Sequence, residues 1–242
     1  MSGHSKWSQV KHKKAITDAK KGKVFSKMAR EIAVAAKTGG PEAHTNPRLR
    51  AAIDRARAIG LPKDNIERAI KRANGAGEEE TLYEFLLEAT AHGRVGILIE
   101  GITDSKNRTF AEVRHILTER GARLAEPGAL LWNFEKIGIL EIRQEENPEK
   151  TSEEIEFAFI DSGVKDFSHI QGAWITETPF TERECVRSEL EKRGIKIQEA
   201  GHDFKPRSPL VLSEEEKKPV DALLDALTEH DDVQEVYTNL EE

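Results

Sequence analysis

The chain has 242 residues, 37% hydrophobic and 33% charged, which fits modest cores and excludes a disordered polymer. Its longest apolar runs, ALLW and VGILI, fall far short of the roughly 20 residues a spanning helix needs. Charge is partitioned: residues 1–75 hold 18 Lys and Arg against 6 Asp and Glu, net +12, the remainder is net -19, and the total is -7.

Such an asymmetry points to a polyanion-facing end on an acidic body. The competing explanation is a positive segment that folds back on its own carboxylates. A single cysteine, Cys185, excludes an internal disulfide. With no charged-then-apolar leader at the start, the expectation is a cytoplasmic protein.

Residues 1–16 have no helical period and read as a basic arm, with Lys6, Lys11, His12, Lys13 and Lys14 around a lone Trp7. An indole in such a setting either stacks on an unpaired base or packs on the following helix. Residues 17–37 predict an amphipathic helix. Val24, Phe25, Met28, Ile32 and Ala35 share one side, and Lys20, Lys23, Lys27, Arg30 and Lys37 stack on the other, with Lys21 beside them. TGGP ends it. Asn46 is placed as the N-cap of a second helix with Pro47 at its first position, and Gly60 ends that helix. A third helix opens at Pro62 and runs to Ala73. Together these predict a three-helix bundle over residues 1–75.

NGAGEEE, residues 74–80, reads as a linker, after which the texture changes. LYEFLLEAT and RVGILIEGI are strand-like. A helix is predicted at 109–120 from a Thr109–Glu112 capping box. ALLWNF and IGILEIR read as strands. Then follow a helix near 152–162, strands at VKDF and AWITET, a helix near 181–193 with a Thr181–Glu184 box, and a strand at IKIQEA. A helix near 214–230 opens at Ser213–Glu216, and VQEVYT is the last strand. From 137 to 199 the order is a split β-α-β, the pattern of a ferredoxin-like layer.

Lysines on a rigid helix can meet several backbone phosphates at once, and arginines add bidentate contacts. The expected nucleic-acid contacts are therefore the arm residues, with Lys20, Lys21, Lys23, Lys27 and Arg30, extended by Arg48, Arg50, Arg55 and Arg57; Arg68, Lys71 and Arg72 follow in the third helix. A helix-turn-helix reading of the second and third helices is weakened by Asp64 and Glu67. These acids lie at the end that should approach base edges and suit the helix dipole instead.

Catalytic signals are thin. The eight histidines form no ligand spacing, and no Gly-rich phosphate loop is present. TDSKNRT, residues 103–109, gathers Asp104, Asn107 and Arg108, as either a polar site or a loop that caps the next helix. The expectation is a protein without catalysis, cofactor or metal.

GHSKWSQVKHKKAITDAKKGKVFSKMAREI, NPRLRAAIDRARAIGLPKDNIERAIKR and TDSKNRTFAEVRHIL resemble the signatures of the YebC/PmpR family over nearly the whole chain. The resemblance implies an α+β multidomain fold: an N-terminal three-helix bundle, then two α+β domains of ferredoxin-like character, the third inserted in the second. The corresponding boundaries are 1–75, 81–130 plus 207–242, and 131–206. It implies a regulator of gene expression, either a DNA-binding transcriptional regulator or a translation factor on RNA and the ribosome. A protein partner on the acidic domains is a further expectation, and no membrane is implied. YEFLLEATAHGRVGILIE departs from the family's Gly- and Pro-rich turn, around Ala91 to Arg94.

Overall fold

The computed structural model describes residues 18–73, 81–92 and 94–241. The first three helices are α1 (Asp18–Gly39), α2 (Pro47–Ala58) and α3 (Lys63–Ala73). Their seam is Ile32, Ala35 and Ala36 against Leu49, Ala52, Ile53 and Ala56, closed by Leu61, Ile66 and Ala69. Asn46 ties the corner. Its Oδ1 accepts from the Leu49 amide at 3.0 Å, the N-cap bond that the sequence predicts. Its Nδ2 donates to the carbonyls of Ala35 and Gly40, each at 2.8 Å. One buried amide thus satisfies orphan groups at the end of α1 and the start of α2. A Cβ on Gly39 would lie 2.7 Å from the Asn46 amide, so only glycine leaves room for it.

The next elements are β1 (Tyr83–Ala91), β2 (Val95–Thr103), α4 (Lys106–Glu119) and β3 (Ala122–Leu124). The chain then builds a separate layer: β4 (Phe134–Arg143), α5 (Ser152–Asp161), β5 (Asp166–Ile170), β6 (Ala173–Pro179), α6 (Arg183–Lys192) and β7 (Glu199–Pro206). It returns with α7 (Glu214–Thr228) and β8 (Val233–Thr238). The first sheet has the order β3-β1-β2-β8 and the second β5-β6-β4-β7, with every pair antiparallel. The second order, with its two helices, is the ferredoxin-like arrangement that the split pattern predicts.

In the first layer Ile97, Ile99, Val113, Leu117, Leu223 and Leu227 form the core; in the second it is Leu140, Ile142, Ile155, Phe159, Trp174 and Leu190. Leu98, Phe134, Phe204 and Tyr237 pack between the sheets. At that junction Glu100 accepts from His202 at 2.9 Å and from the Tyr237 hydroxyl at 3.0 Å. Burial alone would raise the Glu100 pKa, but these bonds and the neighbouring positive charge hold it at about 2.

Several local expectations change. The helix predicted from Thr109 begins at Lys106, because Thr109 is buried inside it and spends its hydroxyl on a distant carboxylate. The Thr181–Glu184 box is not made: residues 180–182 are a 3₁₀ turn and α6 starts at Arg183. The Ser213–Glu216 box is made. In ALLWNF, residues 131–133 form a 3₁₀ turn that leaves Trp132 largely exposed. In IKIQEA only the last two residues are strand. The short turn after β1 uses His92 at φ 49°, and Arg94 beyond it pairs with Glu216.

Candidate nucleic-acid interface

The lysine stripe of α1 faces the end of α7. A helix leaves its last carbonyls without intrahelical donors and carries partial negative charge there. Lys27 Nζ donates to the Thr228 carbonyl at 2.7 Å and Lys23 Nζ to that of Glu229 at 3.1 Å. Lys23 also lies 3.4 Å from Asp231. Arg30 donates to the Asp231 carbonyl at 2.9 Å and to Asp232 Oδ1 at 2.7 Å. Burial pushes the Lys27 ammonium below its ordinary value.

Asp232 is the buried centre of this contact, with 2% of its side chain exposed. Its Oδ2 accepts from Arg108 and from the Thr109 hydroxyl, each at 2.6 Å. Burial would raise its pKa, but the bonds from Thr109 and Arg108 and the charge of Arg30 hold it below the usual carboxylate range. Gly101 makes the approach possible: a Cβ there would come within 2.3 Å of the Asp232 carbonyl and 2.2 Å of the Phe85 ring. That carbonyl accepts from the Ile102 amide at 2.8 Å. The polar run 103–109 is thus part of a junction, with Arg108 also bonded to Asp104 at 2.9 Å.

Glu112 and His230 adjoin it, and with Asp232 their ligand atoms lie within 4.8 Å of one another. Both oxygens of Asp232 already serve Arg30, Arg108 and Thr109, so these three residues make a poor cation site.

The arginines of α2 are also engaged. Arg48 forks onto Glu84, Arg50 donates to Glu184 at 2.9 Å, and Arg55 pairs with Glu31 and lies 4.0 Å from Glu199. Arg187 of α6 answers with a 3.2 Å contact to Asp54. Arg57 is exposed, 3.9 Å from Asp54. Lys6, Trp7, Lys11, His12, Lys13 and Lys14 lie outside the described residues, and Lys20 is described only as helical backbone. Lys21 is exposed.

Within the described part, then, Lys23, Lys27 and Arg30 come together on the end of α7, and Arg48, Arg50 and Arg55 hold the bundle to the acidic layers. The remaining exposed cations of the bundle are Lys37 on α1 and Lys63, Arg68, Lys71 and Arg72 on α3. In the sequence Arg68, Lys71 and Arg72 read only as an extension of the basic run. The missed signal is the i, i+4 spacing of Arg68 and Arg72, matched by Ala69 and Ala73 beside them and by Ala29 and Ala33 on α1.

The architecture and this surface define an α+β protein with a cationic helical head braced on two antiparallel layers. Residues 5–76 match the description "TACO1/YebC protein N-terminal domain" and residues 82–240 match "TACO1/YebC second and third domain". The chain belongs to the TACO1/YebC family. A "Probable transcriptional regulatory protein" of Thermotoga maritima is 43% identical over 241 residues, covering 100% of this chain and 94% of that one. One of Dehalococcoides mccartyi is 41% identical over 239 residues, covering 99% and 94%. The crystal structure of a conserved hypothetical protein, Aq1575, from Aquifex aeolicus is similar at a TM-score of 0.86 and 41% identity, covering 97% of this chain and 96% of that one. By the names of these relatives, the family is one of regulators. No helix among the described residues is long and apolar enough to cross a membrane.

Proposed function

We propose that the protein is a non-enzymatic, nucleic-acid-binding regulator of gene expression that works in the cytoplasm as a DNA-binding transcriptional regulator. The observation that carries this reading is the set of exposed cations on the bundle, Lys37, Arg57, Arg68 and Lys71, on a body whose net charge is opposite. A polyanion is drawn to these cations and repelled by the acidic layers, so it meets the molecule in one orientation. The printed names of the relatives support transcription. A second reading, a translation factor on RNA and the ribosome, is favoured by Asp64 and Glu67, which sit on α3 where a DNA-reading helix would meet base edges.

The acidic layers are proposed to take a protein partner. Phe157 and Ile160 are both 67% exposed on α5, beside the exposed acids Glu153 and Asp161, a surface suited to a basic, partly apolar segment.

The test is a binding titration on duplex DNA and structured RNA across a salt series. Charge reversal at Lys37, Arg68 and Lys71 should weaken binding to the physiological target sharply and flatten its salt slope by about 0.9 per lost contact on a duplex. Unchanged affinity and slope would refute the assignment. Sedimentation of cell extract with and without RNase separates the two readings, since RNase-sensitive co-migration with ribosomal particles supports translation.

A further inference from the structure

Between α1 and α3 runs a groove of about 360 Å³. Its floor is Ala29 and Ala33 of α1 with Ala69 and Ala73 of α3. Two facing helices usually fill such a seam with leucine or isoleucine. Here small residues one turn apart on both helices leave an apolar slot. Its rim carries Arg30, Lys37, Arg68 and Arg72. Arg30 reaches Asp232, and Arg72 has a partner, whereas neither Lys37 nor Arg68 has an ion pair among the described residues.

An apolar slot ringed by cations narrows the ligand. A bare phosphate leaves the alanine floor unused. A neutral apolar molecule leaves the cations unmatched. A base inside a duplex has its faces stacked and hidden. An unpaired nucleotide offers both a flat face and an adjacent anion. Guanidinium planes suit both parts, since they stack on bases and fork onto phosphate oxygens.

We propose that this groove is a subsite for one unpaired nucleotide of a nucleic-acid strand, with its base on the alanine floor and its flanking phosphates on Lys37 and Arg68. The proposal rests on the nucleic-acid reading above and supplies its ligand class. RNA and single-stranded DNA share the chemistry, and the experiment separates them.

The full chain is titrated by fluorescence anisotropy with labelled 12-nucleotide oligo-U and oligo-dT strands, and with a 12-base-pair DNA duplex, across a salt series. Ala33→Leu fills the slot without altering charge. It should weaken single-strand binding about fivefold to tenfold, the scale of roughly 50 Å² of base surface left unburied, and leave duplex affinity and every salt slope unchanged. The double variant Lys37→Ala with Arg68→Ala removes only exposed side chains, so it keeps the fold even if the filled groove does not. It should flatten the single-strand salt slope by about 1.4, at about 0.7 per phosphate. A loss confined to oligo-U identifies RNA as the ligand, a loss confined to oligo-dT identifies DNA, and equal losses identify backbone and base alone.

If the wild-type chain binds strands but both variants bind them equally well, the groove is not the subsite. If the wild-type chain binds neither strands nor duplex, the nucleic-acid reading falls and the groove with it.

Discussion

The cationic stripe of α1 has two stretches that do different work. The first, Lys23, Lys27 and Arg30, is spent on the last carbonyls of α7 and on buried Asp232. Further along, Lys37, with Arg68 of α3 across the groove, meets no carboxylate among the described residues. Charge on a sequence is therefore not charge on a surface. The positive head and the acidic body attract each other, and part of the head is consumed in holding the two together.

The contrast can be broken most severely at Gly101. Gly101→Ala should destabilise the protein by about 3 kcal/mol, because the added carbon collides with Phe85 and the Asp232 backbone at once; thermal unfolding reads it. Asp232→Ala should cost about 2 kcal/mol, the scale of lost hydrogen bonds to charged donors, moderated because Arg30 and Arg108 retain access to water. The same variant should free Arg30 of α1 for polyanions, so stability falls while affinity for a nucleic acid rises. Asn46→Ala should cost about 1–2 kcal/mol through the lost cap and the carbonyls left unpaired. Arg68→Ala should change stability by less than about 0.5 kcal/mol, since it touches no junction.

Acid sharpens the same comparison. Asp232 and Glu100 both have carboxyl pKa values depressed by folding, so each binds protons more readily when unfolded. Their stabilisation is complete above the ordinary carboxylate range and is lost as pH falls through the folded values, which for Glu100 means between about 4.5 and about 2. Glu100→Gln should flatten the stability curve in that interval, measured by chemical denaturation at successive pH values. Arg68→Ala should leave that curve unmoved.

Much of the fold is legible in the residues because it rests on local rules. The apolar side of α1, the Asn46–Pro47 start and the Ser213–Glu216 box all act within a few positions, and they appear where the sequence places them. The alternation from 137 to 199 likewise yields its layer. What escaped notice is long-range. Thr109 looks like a cap, but its hydroxyl is claimed by Asp232, 123 positions away. The stripe of α1 reads as open to a polyanion because its acceptors are mostly carbonyl oxygens at a helix end, which no side-chain pattern announces. The groove escaped for the opposite reason: alanine carries no signal of its own, and the space exists only once α3 lies against α1.

The junction between Lys23 and the Glu229 carbonyl spans 206 positions. On the ribosome the helical head therefore emerges long before its counterpart has been made. At 5–20 residues per second, it waits roughly 10–40 s with Lys23, Lys27 and Arg30 lacking these partners. During every round of synthesis a nascent form exists whose cationic surface is larger than that of the finished molecule, and completion of the last helix and strand is the event that trims it.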